Sequence, residues 1–172
     1  MQKTYLCIDL KSFYASVECV EQGLDPFEVN LVVADPTRGG GAITLAATPA
    51  IKKLGVSSRG RIFEIDPTIE YMIAPPRMHL YMEYSCRVYK IFLEFIAKED
   101  IHVYSIDESF LDITSYLKLY QVNAKELAKK ILDRIYEKTG LTATVGIGTN
   151  LYLAKIAMDI SAKHNADRMA FL

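Results

Sequence analysis

Short apolar runs mark the first half of the chain, and apolar positions at helical spacing mark the second. Tyr5-Leu6-Cys7-Ile8 predicts a first strand over residues 4–10. Ser12 then stands as an N-cap before a short helix with Phe13, Val17 and Val20 on one face and Gly23 near its end. Beyond Pro26, Leu31-Val32-Val33-Ala34 predicts a brief strand, and residues 35–41 (Asp-Pro-Thr-Arg-Gly-Gly-Gly) a flexible loop. A strand over 42–46 and a helix over 49–54, stopped by Gly55, follow. The stretch up to Pro75-Pro76 has no period, and it leaves Arg59, Arg61 and Arg77 facing either a partner or water.

After Pro76 the pattern is cleaner. Leu80, Tyr84, Val88, Ile91, Phe92 and Phe95 form the buried stripe of a long helix. Ile101-His102-Val103-Tyr104 and Phe110-Leu111-Asp112-Ile113 flank Ser105 to Ser109, which predicts a tight β-hairpin. Asn123 with Glu126 resembles a capping box for a helix with Leu127, Ile131 and Ile135 inward, ending at Lys138 and Gly140. Residues 141–148 alternate like a strand. Asn150 caps a last helix with Ala154, Ala157 and Ile160 on its inner face.

With residues 12–77 set aside, the order is β-α-β-β-α-β, the ferredoxin-like pattern. The fold class is therefore α+β: a ferredoxin-like core with a small α/β subdomain inserted at 12–77. A right-handed crossover makes the first two core strands parallel and lets the third, antiparallel strand slot between them. The end of the first strand and the hairpin turn then share one sheet edge, where Asp9 meets Asp107 and Glu108. Three carboxylates so placed repel one another unless cations join them, and hard divalent ions such as Mg²⁺ favour oxygen ligands. This is the chemistry of metal-assisted phosphoryl transfer.

Composition changes this picture little. With 172 residues, 51% apolar and 24% charged, the chain suits one compact domain with a small insertion. A formal charge of −1 carries no general signal for nucleic acid, which argues against a free-standing DNA-binding domain. Cys7, Cys19 and Cys86 are scattered and read as buried thiols in a reducing, cytoplasmic setting. The histidines lack zinc spacing. Met1-Gln2-Lys3 runs straight into the first strand with no signal peptide, and no apolar run is long enough to span a bilayer.

Three segments resemble the motifs of the Y-family, lesion-bypass DNA polymerases, in the UmuC-like and DinB-like branches. They are Cys7 to Glu18 (CIDLKSFYASVE), Tyr104 to Asp112 (YSIDESFLD), and Thr144 to Asn150 (TVGIGTN) with Leu153-Ala154-Lys155-Ile156-Ala157 after it. The resemblance implies a palm at residues 1–11 and 78–172 and fingers at 12–77. It also implies that the family's thumb and little finger, which hold most of the DNA, are absent from this chain, making it a truncated catalytic core of weak or no activity alone. The activity implied is template-directed, translesion DNA synthesis. Its cofactor is two Mg²⁺ ions, with Mn²⁺ able to substitute. Its partners are primed template DNA and an incoming dNTP, with a sliding clamp and a RecA-type filament as candidates.

By the resemblance, Asp9, Asp107 and Glu108 are catalytic and hold the metals together with the Leu10 carbonyl. Backbone amides of Ser12, Phe13 and Tyr14 meet the triphosphate at a helix N-terminus. Tyr14 falls at the steric-gate position, where an aromatic ring excludes a ribose 2′-hydroxyl, although a half-buried Tyr in a helix is ordinary packing and Phe13 reads as core. Lys155 reaches the triphosphate from the palm. Lys52 and Pro49 stand where the family often has Arg and Tyr, so the charge is kept and the bidentate fork and the hydroxyl are lost; Thr48 is a candidate substitute for that hydroxyl. Arg38-Gly39-Gly40-Gly41 lacks the Gly-Lys-Ser/Thr of a phosphate loop and reads as a fingers loop. Two rivals remain: a nucleotide-cyclase palm, whose acidic turn carries glycines where Ser105-Ile106 stand here, and an inert remnant that only binds a partner.

Overall fold

The computed structural model describes residues 2–172. In chain order its elements are β1 (Tyr5–Leu10), α1 (Phe13–Glu21), β2 (Leu31–Val33), β3 (Ala46–Ala47), α2 (Pro49–Lys52), β4 (Met72–Ala74) and α3 (Met78–Phe95). The second half holds β5 (Ile101–Val103), β6 (Glu108–Asp112), α4 (Thr114–Tyr120), α5 (Ala124–Thr139), β7 (Ala143–Gly148), α6 (Leu151–Ile156) and β8 (Met169–Phe171). These elements gather into two units, one made of the chain up to Leu10 with Ser85–Leu172, the other of Lys11–Tyr84. The division falls inside α3.

In the first unit a five-stranded sheet runs β5-β6-β1-β7-β8. β6 pairs antiparallel with both β5 and β1, so it lies between them as the crossover rule requires. This is the ferredoxin-like order, with β8 added parallel to β7, a strand the sequence did not announce. Leu6, Cys7 and Ile8 of the central strand are at most 1% exposed. Successive side chains point to opposite faces. Cys7 joins Phe110, Ala154 and Met158 on one face, while Ile8 and Leu10 line a small cavity with Val88 and Phe92 of α3 on the other. Asp9 therefore shares the face of Cys7, where α6 packs.

The helices of this unit follow their apolar stripes, with corrections at the ends. Ile96, just past α3, is buried, and Phe95 only half-buried. α5 matches its prediction closely: the Asn123 carboxamide oxygen accepts from the Glu126 amide at 2.8 Å, and Gly140 closes the helix at φ +74°. α6 is capped by Asn150 but passes into a π-helical turn at Ala157–Ser161. The wider turn changes which side chains face inward. Met158 is fully buried, and Ile160, predicted inside, is 66% exposed. α4, absent from the sequence reading, sits just after the hairpin, where Asp112 accepts from the Thr114 amide and hydroxyl.

The second unit contains a three-stranded sheet in the order β3-β2-β4, with β2 antiparallel to β3 and parallel to β4. The strand predicted over 42–46 shrinks to Ala46–Ala47 and one isolated bridge between Ile43 and Arg61. β4 falls in the stretch read as irregular. Its core is Val32, Ala47, Ile51 and Ile65. Thr48, fully buried, binds the turn together: its hydroxyl donates to the Val29 carbonyl and accepts from the Leu31 and Ile51 amides. α2 ends at Lys52 rather than Leu54. The predicted loop at 35–41 contains a 3₁₀ segment, Pro36–Gly41, started by the Asp35 side chain.

Two arginines read as exposed have partners inside this unit. Arg61 donates to the Gly41 carbonyl at 2.6 Å, and Arg77 forms an ion pair with the buried Glu18. Cys86 is exposed, against the expectation of three buried thiols; Cys7 and Cys19 are buried. Among the described residues no helix is long and apolar enough to cross a membrane.

Candidate active site

Strand register brings the acidic residues together. Asp9 and Glu108 are direct partners across the antiparallel β1–β6 pair, so their side chains rise on the same face. One step beyond, the Leu10 amide donates to the Asp107 carbonyl at 2.9 Å, which ties the hairpin turn to the end of β1. The Ser105 hydroxyl donates to the Asp107 carboxylate at 2.9 Å, and the Ser85 hydroxyl on α3 donates to the Ile106 carbonyl at 2.6 Å. The turn is thus held from three sides: strand, helix and its own first residue.

Two lysines face these carboxylates. Lys155 Nζ lies 2.5 Å from Glu108 Oε1 and 3.3 Å from Asp159, and its ammonium stands 5.6 Å from the Tyr104 ring centre. Lys163 Nζ lies 3.4 Å from Asp9 Oδ2 and 3.6 Å from Asp159. Burial pulls the Lys155 ammonium down, but Glu108 and Asp159 outweigh it and hold it above the usual lysine range. Asp9 is pushed up from its ordinary 3.8 to about 6, first by burial and then by the Asp107 charge, with Lys163 opposing. The Cys7 thiol donates to Glu108 Oε1 at 3.4 Å, and burial followed by the Glu108 charge raises it well beyond the thiol range.

The carboxylates adjoin without converging on one point. Among the described residues no set of three or more His, Cys, Asp or Glu stands in metal-holding geometry. What the site offers is a set of carboxylate oxygens, mostly buried, with Glu108 side chain 11% and Asp9 side chain 18% exposed. Cationic groups already balance their charge. A hard divalent cation fits such a set.

The remaining predicted residues lie in the second unit. Phe13 is buried and Tyr14 half-buried at the start of α1. Ser12 occupies the N-cap position but not as predicted: its backbone is left-handed (φ 48°, ψ 50°), and its side chain makes no capping bond. Its hydroxyl instead accepts from Lys52 Nζ at 2.9 Å. The hydroxyl of Thr48, the suggested stand-in at the fingers, is spent on the backbone, and Pro49 is buried. Lys163 and Cys7 were not anticipated. For Lys163 a signal existed: Lys155, Asp159 and Lys163 recur at the i, i+4 spacing that places charges on one helix face.

Comparison with known proteins shows the family and the fold. A family model described as the impB/mucB/samB family matches residues 8–159. The chain is 39% identical over 170 residues to a putative UV-damage repair protein, UvrX, of Bacillus subtilis, covering 98% of the chain and 39% of that protein. It is 39% identical over 165 residues to DNA polymerase IV 2 of the same organism, covering 95% of the chain and 39% of that protein. Among solved structures, DinB from Sulfolobus solfataricus aligns at a TM-score of 0.79 with 30% identity, over 98% of this chain and 48% of that one. An insertion ternary complex of Dbh DNA polymerase aligns at 0.80 with 29% identity and the same coverage. The chain thus spans less than half the length of these relatives. The chain belongs to the impB/mucB/samB family and has the fold of about half of a Y-family DNA polymerase.

Proposed function

We propose that this chain is the palm and fingers of a translesion DNA polymerase, with the palm at residues 1–11 and 78–172 and the fingers at 12–77. The carrying observation is the register that sets Asp9 opposite Glu108 while the Leu10 amide holds Asp107 in place. That places Asp9 near the end of β1, Glu108 at the start of its paired strand β6 and Asp107 in the turn beside them, a rigid mount for groups that must keep their spacing during catalysis. The names of the relatives, DNA polymerase IV and UV-damage repair protein, support the substrate class: primed, damaged template DNA and a dNTP.

Asp9, Asp107, Glu108 and the Leu10 carbonyl would hold two Mg²⁺ ions. Held by these residues, such ions would supply a lowered pKa at the primer 3′-hydroxyl and positive charge for the departing pyrophosphate. Lys155, already against Glu108, is placed to meet triphosphate charge when it releases that carboxylate. The N-terminus of α1 is the kind of helix end that suits phosphate oxygens. Lys52 contributes a point charge rather than a fork. Tyr14 is the sugar gate.

The test is primer extension by the full-length natural protein. Asp107→Asn or Glu108→Gln should abolish nucleotide addition, by about a thousandfold or more, with the circular dichroism spectrum unchanged. Extension near the wild-type rate by either variant would refute the assignment.

A further inference from the structure

Glu18 lies one helical turn beyond Tyr14 on α1 and is almost completely buried, its side chain 3% exposed. A carboxylate that is withdrawn from water costs stability unless its oxygens are fully paired. Here they are. Arg77 Nε reaches both oxygens at 3.1 Å and its Nη2 reaches Oε1 at 2.5 Å, while the Tyr81 hydroxyl donates to Oε2 at 2.6 Å. Tyr81 is fully buried, and its ring stacks face to face on Tyr14, with centroids 4.5 Å apart and planes within 16°. It meets Phe13 edge-on at 6.4 Å. One turn later Tyr84 repeats the link by donating to Glu21 at 2.5 Å.

These contacts form one chain of constraint, from Arg77 through Glu18 and Tyr81 to Tyr14. A ring anchored at its hydroxyl cannot rock about its stacking axis, so it presents a fixed face to the ring lying on it. We propose that Tyr81, Glu18 and Arg77 are positioning residues that fix the plane of the Tyr14 ring, and so set how strictly the site refuses ribonucleotides. The inference rests on the reading of Tyr14 as the sugar gate. Burial and the Glu18 carboxylate both push the Tyr81 hydroxyl above its ordinary range, which keeps it a donor. A gate excludes a 2′-hydroxyl by a steric clash, so loosening the ring matters more to discrimination than to the rate with the correct sugar.

Three variants of the full-length protein test this by the ratio of dNTP to rNTP incorporation efficiency. Tyr14→Ala should lower the ratio about a hundredfold. Tyr81→Phe, which keeps the stacked ring and loses the anchor, and Glu18→Gln, which weakens the Arg77 pair, should each lower it about tenfold while dNTP kcat/KM stays within about threefold. A purely structural role would lower Tm and leave the ratio alone. If Tyr14→Ala collapses the ratio and the other two leave it at the wild-type value, the gate stands and the positioning proposal falls. If Tyr14→Ala leaves the ratio unchanged, the gate reading fails. The positioning of the ring is then read from its NMR resonances in the 172-residue chain, where stacking on Tyr81 shifts them upfield. Tyr81→Phe or Glu18→Gln should move them toward their unstacked positions, and unmoved resonances in both would overturn the proposal.

Discussion

Asp9 is the residue at which burial and charge oppose folding most directly. Its pKa rises from the ordinary 3.8 to about 6 because burial and Asp107 both disfavour the anion. An acid whose folded pKa lies above its unfolded value binds its proton more tightly when folded, so ionising it weakens the fold. Stability of the metal-free protein should therefore fall as pH rises from about 4 to about 6, and level off above. Asp9→Asn should stabilise the protein in chelator by about 3 kcal/mol at pH 8 and leave it nearly unchanged at pH 4. Urea unfolding at the two pH values checks this, and an equal effect at both would remove Asp9 as the titrating group. The place of Asp9 beside Glu108 was legible from its position at the end of an apolar run and from the hairpin that follows the crossover. Its counter-ion was not, because Lys163 reaches it only through the packing of the last helical turns on the sheet.

At the scale of elements, β7 shows why its glycines stand where they do. A Cβ on Gly146 would run into the Ala154 carbonyl oxygen and the Met158 amide, and one on Gly148 into the Ala154 amide. The helix carrying Lys155 thus lies backbone to backbone on the strand, a distance only glycine permits. Gly146→Ala should cost at least about 2 kcal/mol and displace Lys155 from Glu108, measured as a lower urea midpoint together with lost nucleotide addition in the full-length protein. A midpoint within error of wild type would contradict this packing. Elements with a full period were legible: α5 carries its cap, stripe and closing glycine in local sequence. β4 and β8 were not. Each has three residues and becomes a strand through a distant parallel partner, β2 or β7, that no local pattern announces. Ile160 went astray for a related reason, since a π-helical turn breaks the 3.6-residue count on which the stripe depends.

At the scale of the whole molecule, charge and extent govern what the chain can hold. DNA affinity scales with the number of phosphates neutralised, and this chain has a formal charge of −1 and spans 39% of its Bacillus subtilis relatives. On the proposed function, the 172-residue chain should bind labelled primer-template only weakly at moderate salt, yet bind dNTP with Mn²⁺. Submicromolar DNA binding in the same titration would show that these two units grip DNA unaided. By itself the sequence determined the β-α-β-β-α-β core and the meeting of Asp9 with Asp107 and Glu108. Both follow from local periods and the handedness of one crossover, which act over a few residues or by a general chiral rule. Only the tertiary structure decided which cations balance those carboxylates, that Arg77 pairs with a buried Glu18, and that Tyr14 lies on a tethered Tyr81. Such pairings join residues far apart in the chain, and their partners are selected by the distances and burial that packing creates, which no spacing along the sequence encodes.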